Sequence, residues 1–340
     1  MASLWDDLES CVTDAPNSFA AAIGDRGTIQ PKANFSATED AVALKKAMKG
    51  LGTTEETLID ILTHRTNAQR QVICKAYLED TGNTLVQDLK GDTHGHFENL
   101  LVALATPPAL YDCQEVRRAM EGVGTDDSIL IEIFSSRSNQ QIKLLCDAYL
   151  KETERKLTFD LKKETTKEFG TAILLLSEGK RDESTQVDAG KAKEDAKALY
   201  NAGEKKWGTD EDKFVEILCQ RSVPQLRQTL VEYHSLSGKT LQQSIEREMS
   251  GPLEDLLVAI VKCVKSVPAY FAELLHQSMK GGGTDEATLT RIMVSRSEVD
   301  LLDIRAEFKK QYQHSLHTAI KSDVSGNLEA CLLEICGGDD

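Results

Sequence analysis

Four glycine turns of one design recur along this chain: Met48-Lys-Gly-Leu-Gly-Thr53, Met120-Glu-Gly-Val-Gly-Thr125, Gly203-Glu-Lys-Lys-Trp-Gly-Thr209 and Met279-Lys-Gly-Gly-Gly-Thr284. Forty residues after the last glycine of each stands one acid, namely Asp92, Glu164, Glu248 and Asp323. Glycine lets a turn fold so that several carbonyls share one concave patch, and a distant carboxylate brought alongside completes an oxygen cage. Hard, oxygen-seeking Ca²⁺ suits that chemistry. Helix punctuation explains one such turn well, with glycine after one helix and threonine capping the next. It does not explain an acid at the same distance four times.

The threonines at 53, 125, 209 and 284 are separated by 72, 84 and 75 residues, so the chain is an internal repeat of about 70 residues. Twelve residues beyond each threonine is an arginine (Arg65, Arg137, Arg221, Arg296), and twelve further on an aromatic (Tyr77, Tyr149, Tyr233, Phe308). Apolar residues at spacings of three and four, as in Leu58, Ile61 and Leu62, predict helices, while β-branched alternation is nearly absent. Ser36 to Glu39 reads as a capping box, and Thr106 as the cap of a helix with a first-turn proline. The expected fold is all-α: four repeats of four to five short helices, each glycine turn joining a repeat's first two. The divisions expected are a head (1–34), repeat 1 (35–106), repeat 2 (107–178), a polar linker (179–190), repeat 3 (191–266) and repeat 4 (267–340).

With 40 basic against 55 acidic residues the net charge is −15, so no field draws the whole chain to nucleic acid or to anionic lipid. The best apolar run, 256–261, has six residues and is far short of a membrane span. Eight scattered cysteines without a C-x-x-C pair read as reduced thiols packed in a core. With no signal-peptide pattern at the start, a cytoplasmic location is expected.

The turns, the arginine twelve residues on, the distant acid and the Trp-Gly-Thr-Asp-Glu run at 207–211 resemble the annexins, over residues 35–340. The resemblance implies repeats of five helices arranged as a slightly curved disc, and Ca²⁺-dependent binding to anionic phospholipid without enzymatic chemistry. Carried onto this sequence, the implied calcium ligands are the carbonyls of Met48, Gly50 and Gly52 with Asp92; Met120, Gly122 and Gly124 with Glu164; Gly203, Lys206 and Gly208 with Glu248; and Met279, Gly281 and Gly283 with Asp323. Three carbonyls and a bidentate acid supply five oxygens, leaving a position for water or a lipid phosphoryl oxygen. The pattern places glycine three residues after the acid, as at Gly95, Gly251 and Gly326. Repeat 2 has Lys167 there instead, which makes its site the weakest expected.

Other positions carry two readings each. Glu55, Asp127, Glu211 and Glu286 are candidates for secondary calcium, though first-turn acids complementing a helix dipole are the preferred account. Trp207, at the tip of the third turn, suits the lipid interface. The four arginines are expected to tie helices by donating to carbonyls. Asp112, Glu115, Glu132, Arg137 and Arg291 resemble the residues lining the annexins' polar channel; interface charge pairs, Asp112 with Arg137 and Glu132 with Arg291, are preferred over conduction. The histidines of His94-Gly-His96 lack a third ligand at metal spacing and read as exposed loop. In the head, Leu4, Leu8 and Val12 could line a short helix that docks a protein partner, against a frayed terminus as the plainer reading. A lipid hydrolase would need a nucleophile–base constellation or a G-x-S-x-G elbow, and neither is evident in the sequence.

Overall fold

The structure is a computed structural model that describes residues 25–49, 53–122, 124–203 and 208–340. Among these residues there are twenty helices and no strand. Repeat 1 holds α1 (Ala37–Met48), α2 (Glu55–Thr63), α3 (Asn67–Thr81), α4 (Leu85–Asp92) and α5 (Gly95–Ala105). Repeat 2 holds α6 (Pro108–Ala119), α7 (Asp127–Ser136), α8 (Asn139–Thr153), α9 (Leu157–Glu164) and α10 (Lys167–Ser177). Repeat 3 holds α11 (Ala189–Ala202), α12 (Glu211–Gln220), α13 (Val223–Ser237), α14 (Leu241–Glu248) and α15 (Pro252–Lys265). Repeat 4 holds α16 (Val267–Ser278), α17 (Glu286–Arg296), α18 (Leu301–Tyr312), α19 (Leu316–Asp323) and α20 (Gly326–Cys336).

Local chemistry sets many of the ends. Thr66, Ser138 and Thr240 cap α3, α8 and α14 through reciprocal capping boxes with a glutamine three residues on. Ser36 accepts from the Glu39 amide. The expected cap at Thr106 is displaced: α6 begins at Pro108, the Pro107 carbonyl accepts from the Tyr111 amide, and the Thr106 hydroxyl donates back to Val102 of α5. Residues 179–188 carry no helix, and Ala189 and Gly190 already belong to α11.

The chain divides into two compact units. One spans 112–270 and carries most of repeats 2 and 3; the other joins the described residues up to 111 with 271–340, carrying most of repeats 1 and 4. Inside each, the second helix of one repeat packs on the fifth of its partner: α7 on α15 and α10 on α12 in the first, α17 on α5 and α20 on α2 in the second. The cores are aliphatic, with Leu58, Leu62, Ile133, Leu218 and Ile292 almost wholly buried. All seven described cysteines are free thiols; five are buried, and Cys74 and Cys146 are partly so.

The repeated arginines correct the carbonyl-donor expectation, because three of them grip an aspartate with both arms. Arg65 holds Asp40 at 2.7 and 2.8 Å, Arg137 holds Asp112 at 2.9 and 2.9 Å, and Arg221 holds Asp195 at 2.7 and 3.1 Å. These aspartates lie on the first helix of each repeat, so each pair ties that helix to the end of the second. A guanidinium fork on a carboxylate is the strong form of such a bond, and removing one partner of a buried pair costs about 3–5 kcal/mol. In repeat 4 the aspartate position is Phe271; the Arg296 guanidinium sits 4.7 Å above its ring and takes Asp300 instead, at 2.8 and 2.8 Å.

Residues 26–32, on the head side of the first repeat, are tied to repeats 4 and 1. Arg26 accepts from the Leu302 amide and pairs with Asp303, Ile29 donates to Ser297, Thr28 donates to Ile335, and Lys32 exchanges two bonds with Gln69. Gly27 is pressed onto Glu298 so closely that a β-carbon would lie 2.6 Å from main-chain atoms. The Glu298 carboxylate beneath accepts from the Asn67 amide, and burial pushes its pKa up against the pull of Arg70.

Candidate functional site

Each glycine turn is brought to its distant acid by one repeated bond. The threonine hydroxyl that ends the turn donates to the main-chain carbonyl of the acid: Thr53 to Asp92 at 3.2 Å, Thr125 to Glu164 at 3.0 Å, Thr209 to Glu248 at 3.2 Å and Thr284 to Asp323 at 3.3 Å. The threonines therefore do not cap the following helices; Thr54, Asp126, Asp210 and Asp285 hold those positions. Each of these cap residues donates its amide back across the turn, to Ala47, Ala119, Ala202 and Ser278, at 2.7–2.9 Å. The turn is thus pinched at its base and latched to the acid at its end. The sequence carried a signal for the latch: threonine is kept in all four repeats, whereas the cap after it varies between Thr and Asp.

The four acids are each the last residue of a helix, α4, α9, α14 and α19. Asp92 is exposed and the other three are half-exposed. Of the residues expected to offer carbonyls, Met48 closes α1, Met120 and Met279 follow α6 and α16, and Gly203 caps α11. Gly122, Gly124, Gly208 and Gly281 have φ of +103°, +92°, +86° and +110°, which turns that chain path out of reach of most side chains. Gly283 precedes Thr284 at the end of the fourth turn. Gly50, Gly52, Lys206 and Trp207 lie outside the described residues, as do the apolar head residues Leu4, Leu8 and Val12. Three residues past the acid, Gly95, Gly251 and Gly326 adopt φ of +66°, +78° and +69°. Lys167 adopts +55°, so repeat 2 keeps the left-handed path with a residue that pays for its β-carbon.

Glu55, Asp127, Glu211 and Glu286 are all first residues of the second helix of their repeat, where the dipole favours an acid. In the 112–270 unit, Asp127 and Glu211 line one cleft with Glu164 and Glu248. Burial pushes the Asp127 carboxyl up, and its neighbours Asp126 and Asp255 add to the shift. In the other unit, His96 Nε2 lies 3.9 Å from Glu286. Of the channel-like charges, Asp112 pairs with Arg137 as expected, and Glu115 takes Arg118 at 2.7 Å; Glu132 and Arg291 belong to different units. Among the described residues no His, Cys, Asp and Glu side chains gather into a metal cluster; the donors expected from the resemblance are mainly main-chain carbonyls. That donor set of hard oxygens, closed by one acid, suits Ca²⁺.

A family model described as annexin matches four segments, 39–104, 111–176, 194–260 and 270–335, one in each repeat. The chain belongs to the annexin family. Human annexin A3 is 54% identical over 318 residues, covering 94% of this annexin and 98% of the relative. Human annexin A4 is 49% identical over 314 residues, covering 92% and 98%. Among solved structures, annexin III superposes with a TM-score of 0.92 at 54% identity, over 95% of this chain and 99% of that one. A calcium-bound annexin, (Sm)1, superposes with a TM-score of 0.82 at 36% identity, over 97% of each. Annexins are in general calcium-dependent phospholipid binders. No helix among this annexin's described residues is long and apolar enough to cross a membrane.

Proposed function

We propose that this annexin binds anionic phospholipid surfaces from the cytoplasmic side when calcium rises, through the four turn-and-acid sites. The observation that carries the reading is the threonine-to-acid latch, present in all four repeats. Met48, Gly50 and Gly52 with Asp92, and their counterparts in the other repeats, would hold the ion. When bound, calcium supplies a divalent centre whose remaining coordination positions accept lipid phosphoryl oxygens. The pinch and the latch fix both ends of each turn, which supports a reading in which its carbonyls would share one ion. The acid supplies the formal negative charge of the set. Trp207 lies within the third turn's sequence and would rest among the headgroups.

The chain's charge of −15 opposes an anionic membrane, and four divalent ions would still leave about −7. Attachment is therefore local to the turns rather than a property of the whole field. Sedimentation with phosphatidylserine vesicles should require calcium, vanish with chelator at any salt, and survive moderate salt when calcium is present. In a Trp5→Phe background, Trp207 emission should move to the blue only with calcium and vesicles together. Appreciable calcium-free sedimentation at neutral pH would refute the reading.

A further inference from the structure

The four acids are not held alike. The Asp323 carboxylate accepts from the Thr284 hydroxyl at 2.5 Å, and Glu164 lies 3.3 Å from Lys163 Nζ. Glu248 is engaged more fully: Arg247 donates to its Oε1 from Nε at 2.8 Å and from Nη2 at 2.7 Å. The residue before the acid is Gly91 in repeat 1 and Ser322 in repeat 4, and Ser322 turns its hydroxyl to the Ala319 carbonyl. An arginine directly preceding the acid therefore occurs in repeat 3 alone of the four.

We propose that Arg247 is a resident competitor for the repeat 3 cation and sets the calcium concentration at which Glu248 is taken up; the inference rests on the calcium reading above. Bidentate coordination needs both carboxylate oxygens, and the guanidinium fork places two donors on one of them. Being next in sequence, Arg247 cannot diffuse away, so it competes at a high effective concentration. Its side chain is 51% exposed against 23% for Glu248, so solvent is open to it when a cation takes the carboxylate. Having withdrawn, it remains a positive charge beside the site, which weakens cation uptake again. An arginine rather than a lysine matters here because only the planar fork can make the two-donor contact.

Trp207 belongs to the repeat 3 turn, so terbium luminescence sensitised by it, in a Trp5→Phe background, reports this site. Displacement of terbium by calcium then reads the site's affinity. Arg247→Gln should lower the calcium needed for half-displacement by about threefold at low salt, the size expected of an exposed ion pair. The gap should narrow as salt rises. Arg247→Lys should fall between parent and Arg247→Gln. Glu248→Gln should remove the calcium-displaceable signal, which ties the readout to this acid. Thermal unfolding in chelator should be nearly unchanged for both Arg247 variants. An unchanged or higher calcium requirement in folded Arg247→Gln overturns the proposal. If the parent itself shows no calcium-displaceable signal, the calcium reading fails and the proposal falls with it.

Discussion

Repeats 1 and 4 share one unit and repeats 2 and 3 the other, and the two pairs differ in the charge beside their acids. Around Asp92 and Asp323 the preceding residue is Gly91 or Ser322, and Gly95 or Gly326 makes the left-handed step after it. Around Glu164 and Glu248 the preceding residue is Lys163 or Arg247, each near enough to pair with the acid. Repeat 2 adds Lys167 on the left-handed step. Among the described residues all four nevertheless share the latch, the pinch and a positive φ three residues after the acid. The frame is fixed by helix packing around it, and a lysine is carried into a glycine conformation without changing it. What varies freely is the electrostatics of the frame, and calcium demand should vary with it.

The largest effect should come from abolishing the comparison altogether. The combined Asp92→Asn, Glu164→Gln, Glu248→Gln and Asp323→Asn variant removes the only formal charge among the primary ligands proposed for each site. It should retain its helical circular dichroism and cooperative unfolding, since none of these side chains is buried, and yet fail to sediment with vesicles in calcium. Retained sedimentation would remove the calcium bridge as the mechanism.

Single amides should give intermediate effects, because three sites on one protein still act together. Asp92→Asn, Glu248→Gln and Asp323→Asn should each raise the calcium for half-maximal vesicle binding severalfold, on the order of three- to tenfold. Glu164→Gln should raise it least, since Lys163 and Lys167 already disfavour a cation there. If Glu164→Gln proved the most damaging single change, the charge ranking of the repeats would be wrong.

The smallest effect isolates the left-handed step. Lys167→Gly relieves the β-carbon and removes a positive charge from a helix N-terminus, against the entropy a glycine loses on folding. Unfolding stability should rise by a few tenths to about 1 kcal/mol, and calcium uptake by repeat 2 should improve modestly. The reverse change, Gly326→Lys, should weaken repeat 4 by a similar amount. Equal calcium titrations for Lys167→Gly and its parent would show that the lysine charge is too well screened to matter.

Much of this molecule was written in short-range pattern. The helices of each repeat, the turn joining its first two, and the special place of Lys167 follow from spacing within a few residues, where local sterics and capping decide the outcome. The acid forty residues beyond each turn was legible only because it recurred four times. Of the repeated arginines' partners only Asp112 was expected, through the resemblance; Asp40 and Asp195 were missed, although they precede Arg65 and Arg221 by 25 and 26 residues as Asp112 precedes Arg137 by 25. No local rule links residues so far apart, and the exchange in repeat 4 of that aspartate for Phe271, with Asp300 taking the charge, breaks the spacing that would have betrayed it.

The sequence by itself thus determined an all-helical repeat and the glycine turns with their distant acids as the candidate site, because helix formation and turn conformation respond to near neighbours. The tertiary structure decided which groups meet: the threonine hydroxyl on the acid's carbonyl, Gly27 against Glu298, and Arg247 on one oxygen of Glu248. Such contacts depend on the distance and angle between packed helices and on the rotamer each side chain takes there. Those are set by how the cores fill, and composition and spacing leave them open.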